Sequence, residues 1–224
     1  LGLVVIVAAP VWVAAQSGTP AESMARSQVF QFERALKAAV EVGGQRLAEQ
    51  ARVVVPDTVL TPTEQPIANG VKLEDYGYHF DVQVPNIDQT SMMLFNMFSE
   101  ARRPRNGGGE GRSGDPQVPV AGRREGPAGP AAELPVAAFD ANKVYGASVK
   151  ESLIDTMLDG SGMLTMAPTE RLTLTVSAMP MPGSNPLLLE GKMILTIKGQ
   201  DLLDLRQGKI TKDVAKSRIV VSSF

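Results

Sequence analysis

The sequence predicts an α+β fold: a small antiparallel sheet with one face covered by helices, a long N-terminal helix, and a disordered insertion rich in Gly, Pro and Arg. Three observations predict it. Segments 76–84, 171–178 and 192–198 alternate apolar and polar residues, the period of a strand with one packed face. Segment 19–51 instead repeats its apolar residues at helical spacing. Segment 102–135 is dominated by Gly, Pro, Ala and Arg and has no aromatic residue, so it buries too little apolar surface to offset its ordering entropy. The 224 residues suffice for one core of about 100–150 residues with extensions and are too few for two large domains.

Residues 1–15 (LGLVVIVAAPVWVAA) carry no charge and close on Val13-Ala14-Ala15, small residues at the positions a signal peptidase reads. The run is short of the roughly 20 residues that span a hydrocarbon core, so it reads as the apolar region and cleavage site of a secretory signal. Neither an initiator Met nor a basic leader precedes it, which reads as a truncated or misplaced start. Mature protein is expected from about Gln16; the competing reading is a buried apolar strand. An exported chain without any Cys points to a bacterial envelope rather than to eukaryotic secretion.

Thr19-Pro20-Ala21-Glu22 offers an N-cap hydroxyl, a Pro where no amide is needed, and a Glu placed to return the capping bond. Phe32, Leu36, Val40, Gly43 and Leu47 follow as one stripe, predicting a helix to about Ala51. Gly43-Gly44 would weaken its middle by about 1 kcal/mol each relative to Ala. The stripe is too rich in small residues for a sustained coiled coil, so the helix is expected to pack on its own domain rather than serve as a dimerisation arm.

Beyond a short apolar run at 53–55, the Pro-dotted segment 56–70 reads as irregular chain. In segment 76–84, Tyr76, Tyr78, Phe80, Val82 and Val84 form an apolar face and Gly77, His79, Asp81 and Gln83 a polar one. Segment 171–178 sets Leu172, Leu174, Val176 and Ala178 against Arg171, Thr173, Thr175 and Ser177. Segment 192–198 repeats the pattern with Met193, Leu195 and Ile197, only Ile194 falling on the wrong side. MPMPGSNP at 179–186 is a turn-rich connection between those two strands.

Segment 88–101 reads as a short helix. After the insertion, order resumes near Val144; Ser148-Val149-Lys150-Glu151 resembles a capping box, and Leu153, Ile154, Met157 and Leu158 form an apolar face stopped by Gly160. Short helices after Gly199 and at 211–216 and a terminal strand at 219–223 complete the chain. Because the insertion separates parts of one sheet, 16–101 and 136–224 read as one interrupted domain, with 102–135 a linker or loop.

Chemistry-bearing groups are few. His79 and Asp81 lie side by side on a polar strand face, the orienting half of a nucleophilic triad that Thr175 or Ser177 would complete. No G-x-S-x-G elbow accompanies them. One His and no Cys exclude the usual zinc sets. Glu151, Asp155 and Asp159 form a stripe along a helix, which spreads oxygens that a hard cation needs converging, and reads as a solvated face. Met163-x-x-Met166 and Met179-Pro-Met181 are weak thioether sets for Cu(I), better read as core fillers. No metal or cofactor is expected. With 22 Lys and Arg against 24 Asp and Glu there is no field for nucleic acid, and Gly107-Gly108-Gly109 has no strand before it or helix after it to make a phosphate loop.

The segments YGYHFDVQVP (76–85) and SVKESLIDTMLDGSGMLTMAPTERLTLTV (148–176) resemble uncharacterised exported proteins of GC-rich bacteria, in which an aromatic-rich strand precedes a helix and an apolar-Ala-Pro-x-Glu turn into another strand. The resemblance covers about half the chain. It implies an envelope location and carries no activity, so no functional residue is taken from it. The expected function is a non-enzymatic interaction or assembly module of the envelope, its partner another envelope protein or polymer. The contact surfaces expected are the long helix and a polar sheet face of His79, Asp81, Gln83, Arg171, Thr173 and Thr175. The alternative is a hydrolase using His79 and Asp81.

Overall fold

The computed structural model describes residues 20–56, 59–101, 139–180 and 191–224. The readings of 1–15 as a signal, of 102–135 as a linker and of most of the 179–186 turn lie outside the described residues. In chain order the elements are α1 (Pro20–Val54), β1 (Ile67–Leu73), β2 (Gly77–Val84), α2 (Gln89–Ala101), α3 (Ala141–Asp159), β3 (Arg171–Ala178), β4 (Met193–Lys198), α4 (Gly199–Arg206), α5 (Lys212–Ser217) and β5 (Val220–Ser223), with a 3-10 turn (Gly160–Met163) ending α3. The fold is α+β.

The five strands lie in sequence order across one sheet, but the sheet is mixed. β1–β2, β3–β4 and β4–β5 are antiparallel, whereas β2 and β3 run parallel from Gly77↔Arg171 to Val84↔Ala178. This corrects the expected antiparallel sheet. The connection between β2 and β3 includes α2 and α3 and returns the chain to the starting end of the sheet, which places the next strand parallel. Side-chain alternation is identical in either orientation, so the pattern that located the strands carried no direction.

β1 is a second correction, because 56–70 was expected to be irregular throughout. The strand escapes notice because its inward positions are Ala68, Gly70 and Lys72, none of them a large apolar residue. At Gly70 size is dictated by the core: a Cβ there would lie 2.2 Å from the Phe80 ring. Tyr76 is a third. Gly77 takes φ 113, which breaks the alternation at the strand's start. The Tyr76 hydroxyl consequently reaches Thr173 Oγ1 at 2.9 Å, on the opposite face from Tyr78.

α3 starts at its cap Asp140, whose carboxylate accepts from Asn142 N and Lys143 N, both at 3.1 Å, and not at Ser148. Ser148 lies buried mid-helix, on a stripe with Ala141, Tyr145, Val149 and Ser152. Small and polar residues on that buried stripe masked its helical period. The same smallness lets α1 and α3 approach closely. A Cβ on Gly43 would stand 2.7 Å from Val149 Cγ2 and 2.8 Å from its Cα, so this glycine permits the contact rather than merely weakening α1.

The core sits between the sheet's inner face and the α1–α3 layer. Tyr78, Phe80, Leu172, Leu174 and Leu195 meet Phe32, Leu36, Leu153 and Met157 there, all essentially inaccessible. Phe32 and Phe80 lie with ring centroids 4.8 Å apart. α5 is tied to α3 by charge: Lys212 Nζ lies 3.0 Å from Asp155 and 2.8 Å from Asp159, and Lys216 Nζ lies 2.8 Å from Asp155. Asp155 and Asp159 therefore form a docking rail for α5, which corrects the reading of the stripe as a solvated face alone, while Glu151 stays exposed, 3.6 Å from Arg46 of α1.

Candidate functional site on the outer sheet face

Strand pairing brings all six predicted contact residues onto the sheet face opposite the core. His79 is paired with Val71 on β1 and with Thr173 on β3, and Thr173 with Thr196 on β4. Asp81 is paired with Asn69 and Thr175, Gln83 with Ile67 and Ser177, and Arg171 with Gly77 and Lys198. His79, Asp81 and Gln83 are half-buried and Arg171 is exposed. Thr173 and Thr175, in the middle of the sheet, retain only 4% and 5% of their accessible surface.

A hydroxyl chain crosses this face. Tyr76 OH and Thr173 Oγ1 are 2.9 Å apart, and Thr173 Oγ1 and Thr196 Oγ1 are 3.3 Å apart. Thr173 is thus engaged on both sides, although it is the hydroxyl opposite His79. His79 and Asp81 have no hydrogen bond or ion pair with one another or with any Ser or Thr among the described residues. A triad requires the base to hold its nucleophile's proton and to be oriented by the carboxylate, and neither bond is made. Among the described residues, surface grooves of about 670 and about 440 Å3 lie beside α1, and neither of these has His79 or Asp81 in its walls.

Sequence reasoning missed the apolar part of the face. Ile67, Val71 and Leu73 on β1 and Val220 on β5 are exposed and frame the polar centre. The signal was the alternation Ile67-x-Asn69-x-Val71-x-Leu73, which went unread because the intervening positions look like loop. Among the described residues no three His, Cys, Asp or Glu side chains converge as a metal site, and no helix is long and apolar enough to cross a membrane. No protein-family model matches the chain, and neither a curated protein nor a solved structure is significantly similar to it.

Proposed function

We propose that this protein is an exported, non-enzymatic interaction or assembly module of a bacterial envelope, docking another envelope protein or polymer on its outer sheet face. One observation carries the reading: a sheet face outside the core joins exposed Ile67, Val71, Leu73 and Val220 to a hydroxyl-lined centre. Apolar residues flanking polar ones suit a macromolecular contact, which needs both buried area and orienting hydrogen bonds. The export half of the proposal rests on the run at 1–15 and the absence of Cys. The near-balance of 22 basic and 24 acidic residues keeps nucleic acid out of it.

The test is a paired capture from native envelope, comparing the unaltered protein with Thr196→Arg, which places a long cation at the half-buried centre of the face. Species retained by the first and lost by the second, with unchanged circular dichroism, support the reading. Equal retention by both removes the sheet face from it. A hydrolytic activity abolished by His79→Ala, with folding intact, replaces the reading with the enzymatic alternative.

A further inference from the structure

One edge of the sheet is β1, and α1 lies alongside it, leaving a groove of about 670 Å3 between helix and strand. In an antiparallel pair, successive residues alternate between bonding their partner strand and turning their backbone groups away from it. Gly70 turns away: its N–H donates to Glu33 Oε1 at 2.7 Å instead of to β2. By the same alternation Lys72, which also lines the groove, presents its backbone groups to it, whereas Ala68 at the far end of the strand is buried. Ala25, Val29 and the exposed Phe30 form its apolar wall on α1.

We propose that this edge accepts an extended segment of a partner polypeptide as a sixth strand, and that the segment carries a Lys or Arg opposite Glu33. The edge selects an extended chain because only a strand supplies a carbonyl and an amide at every second residue. Glu33 occupies the place of that strand's carbonyl and guards the edge while it is empty. When a carbonyl displaces it, the Glu33 carboxylate is left in the groove without its donor. Glu22 and Glu74 also line this groove, against Arg26 and Lys72, and Lys72 Nζ is already placed 5.3 Å from the centre of the Tyr78 ring. The charge balance therefore favours a cationic residue at that point of the incoming strand. This groove shares Val71 with the outer sheet face but none of that face's hydroxyls, and the proposal does not depend on that face.

Two capped heptapeptides of alternating Thr and Val test it, one with a central Lys and one with a central Glu, matching the seven residues of β1. In solution NMR titrations of the protein, the Lys peptide is expected to perturb the amides of Gly70 and Lys72 and to bind at least five-fold more tightly than the Glu peptide. Lys72→Pro removes one groove-facing N–H and should weaken binding at least ten-fold, whereas Lys72→Ala, which keeps that N–H, should cost much less. Glu33→Gln should erase the preference between the peptides. Thr196→Arg should leave peptide binding unchanged, which separates this result from failure of the sheet-face reading. Absence of binding, or equal binding by the Pro and Ala variants, overturns the proposal. Self-association of the unaltered protein that Lys72→Pro abolishes would also overturn it, assigning the edge to a second copy of the chain.

Discussion

Neighbouring residues on β2 carry opposite burdens because strand side chains alternate between faces. Phe80 has no accessible surface and packs against Phe32 with the rings tilted by 50°, so Phe80→Ala should lose about 3–5 kcal/mol of stability through the cavity it opens. His79, one residue earlier on the outer face and without a hydrogen-bond partner among the described residues, should change stability by less than about 0.5 kcal/mol when replaced by Ala. Urea denaturation of both variants measures the contrast, and comparable losses would refute the assignment of faces. Tyr145 poses a different residue-scale question. Its ring is buried at 1% exposure, its hydroxyl has no partner among the described residues, and burial holds its ionisation far above the ordinary tyrosine value. A buried hydroxyl without a hydrogen bond costs about 1–3 kcal/mol of desolvation, so Tyr145→Phe should be neutral or stabilising by up to that amount. A clear drop in the midpoint of thermal unfolding would show that the hydroxyl is satisfied.

At the scale of elements, α5 depends on ionisation. Burial pushes the Asp155 carboxyl upward, but hydrogen bonds from Lys216 and Lys212 outweigh it and leave it below the ordinary Asp value. Lys212 is held above its ordinary value chiefly by hydrogen bonds to Asp159 and Asp155. A depressed carboxyl contributes stability that is present above its unfolded value, about 3.9, and is lost as pH falls through the lower folded value. The raised lysine contributes stability that is present below its unfolded value, about 10.4, and is lost as pH rises through the folded one. Protection of the α5 amides relative to their intrinsic exchange rates should accordingly fall below about pH 4 and again above about pH 10.4, before the sheet opens. Asp155→Asn should remove most of the acid step; an α5 that exchanges only with global unfolding would mean that apolar contacts, Ala215 foremost, hold it alone.

For the molecule as a whole, the chain on either side of the insertion is joined by the longest strand pairing in the sheet. β2 and β3 pair along eight residues, and α1 packs on α3, so each half supplies one strand and one helix to the other. Segment 102–135 carries six Arg, the residues after which trypsin cuts, and no aromatic residue. Limited trypsin digestion should cut there first, and the two fragments should co-elute under native conditions. Separation of the fragments would mean that the halves are independent domains.

The strands with large apolar residues were legible from the sequence because burial of one sheet face imposes a period of two on Tyr78, Phe80 and Val82 and on Leu172, Leu174 and Val176. The stripe of α1 was legible because burial imposes the helical period on Phe32, Leu36 and Val40. The six polar residues of the outer face followed from that same alternation. Tertiary structure alone decided that β2 and β3 run parallel, since a side chain's face is independent of its strand's direction. It also decided that IANGVKL is a strand: Gly70 is small because the Phe80 ring fills the space its side chain would need, a constraint that exists only after the chain has folded. Glu33 on the edge and Lys212 on the acidic rail follow the same logic, because each pairs groups separated by 37 or more residues. Spacing within one element reports its own faces; which faces, edges and charges meet is set by the packing of elements against one another.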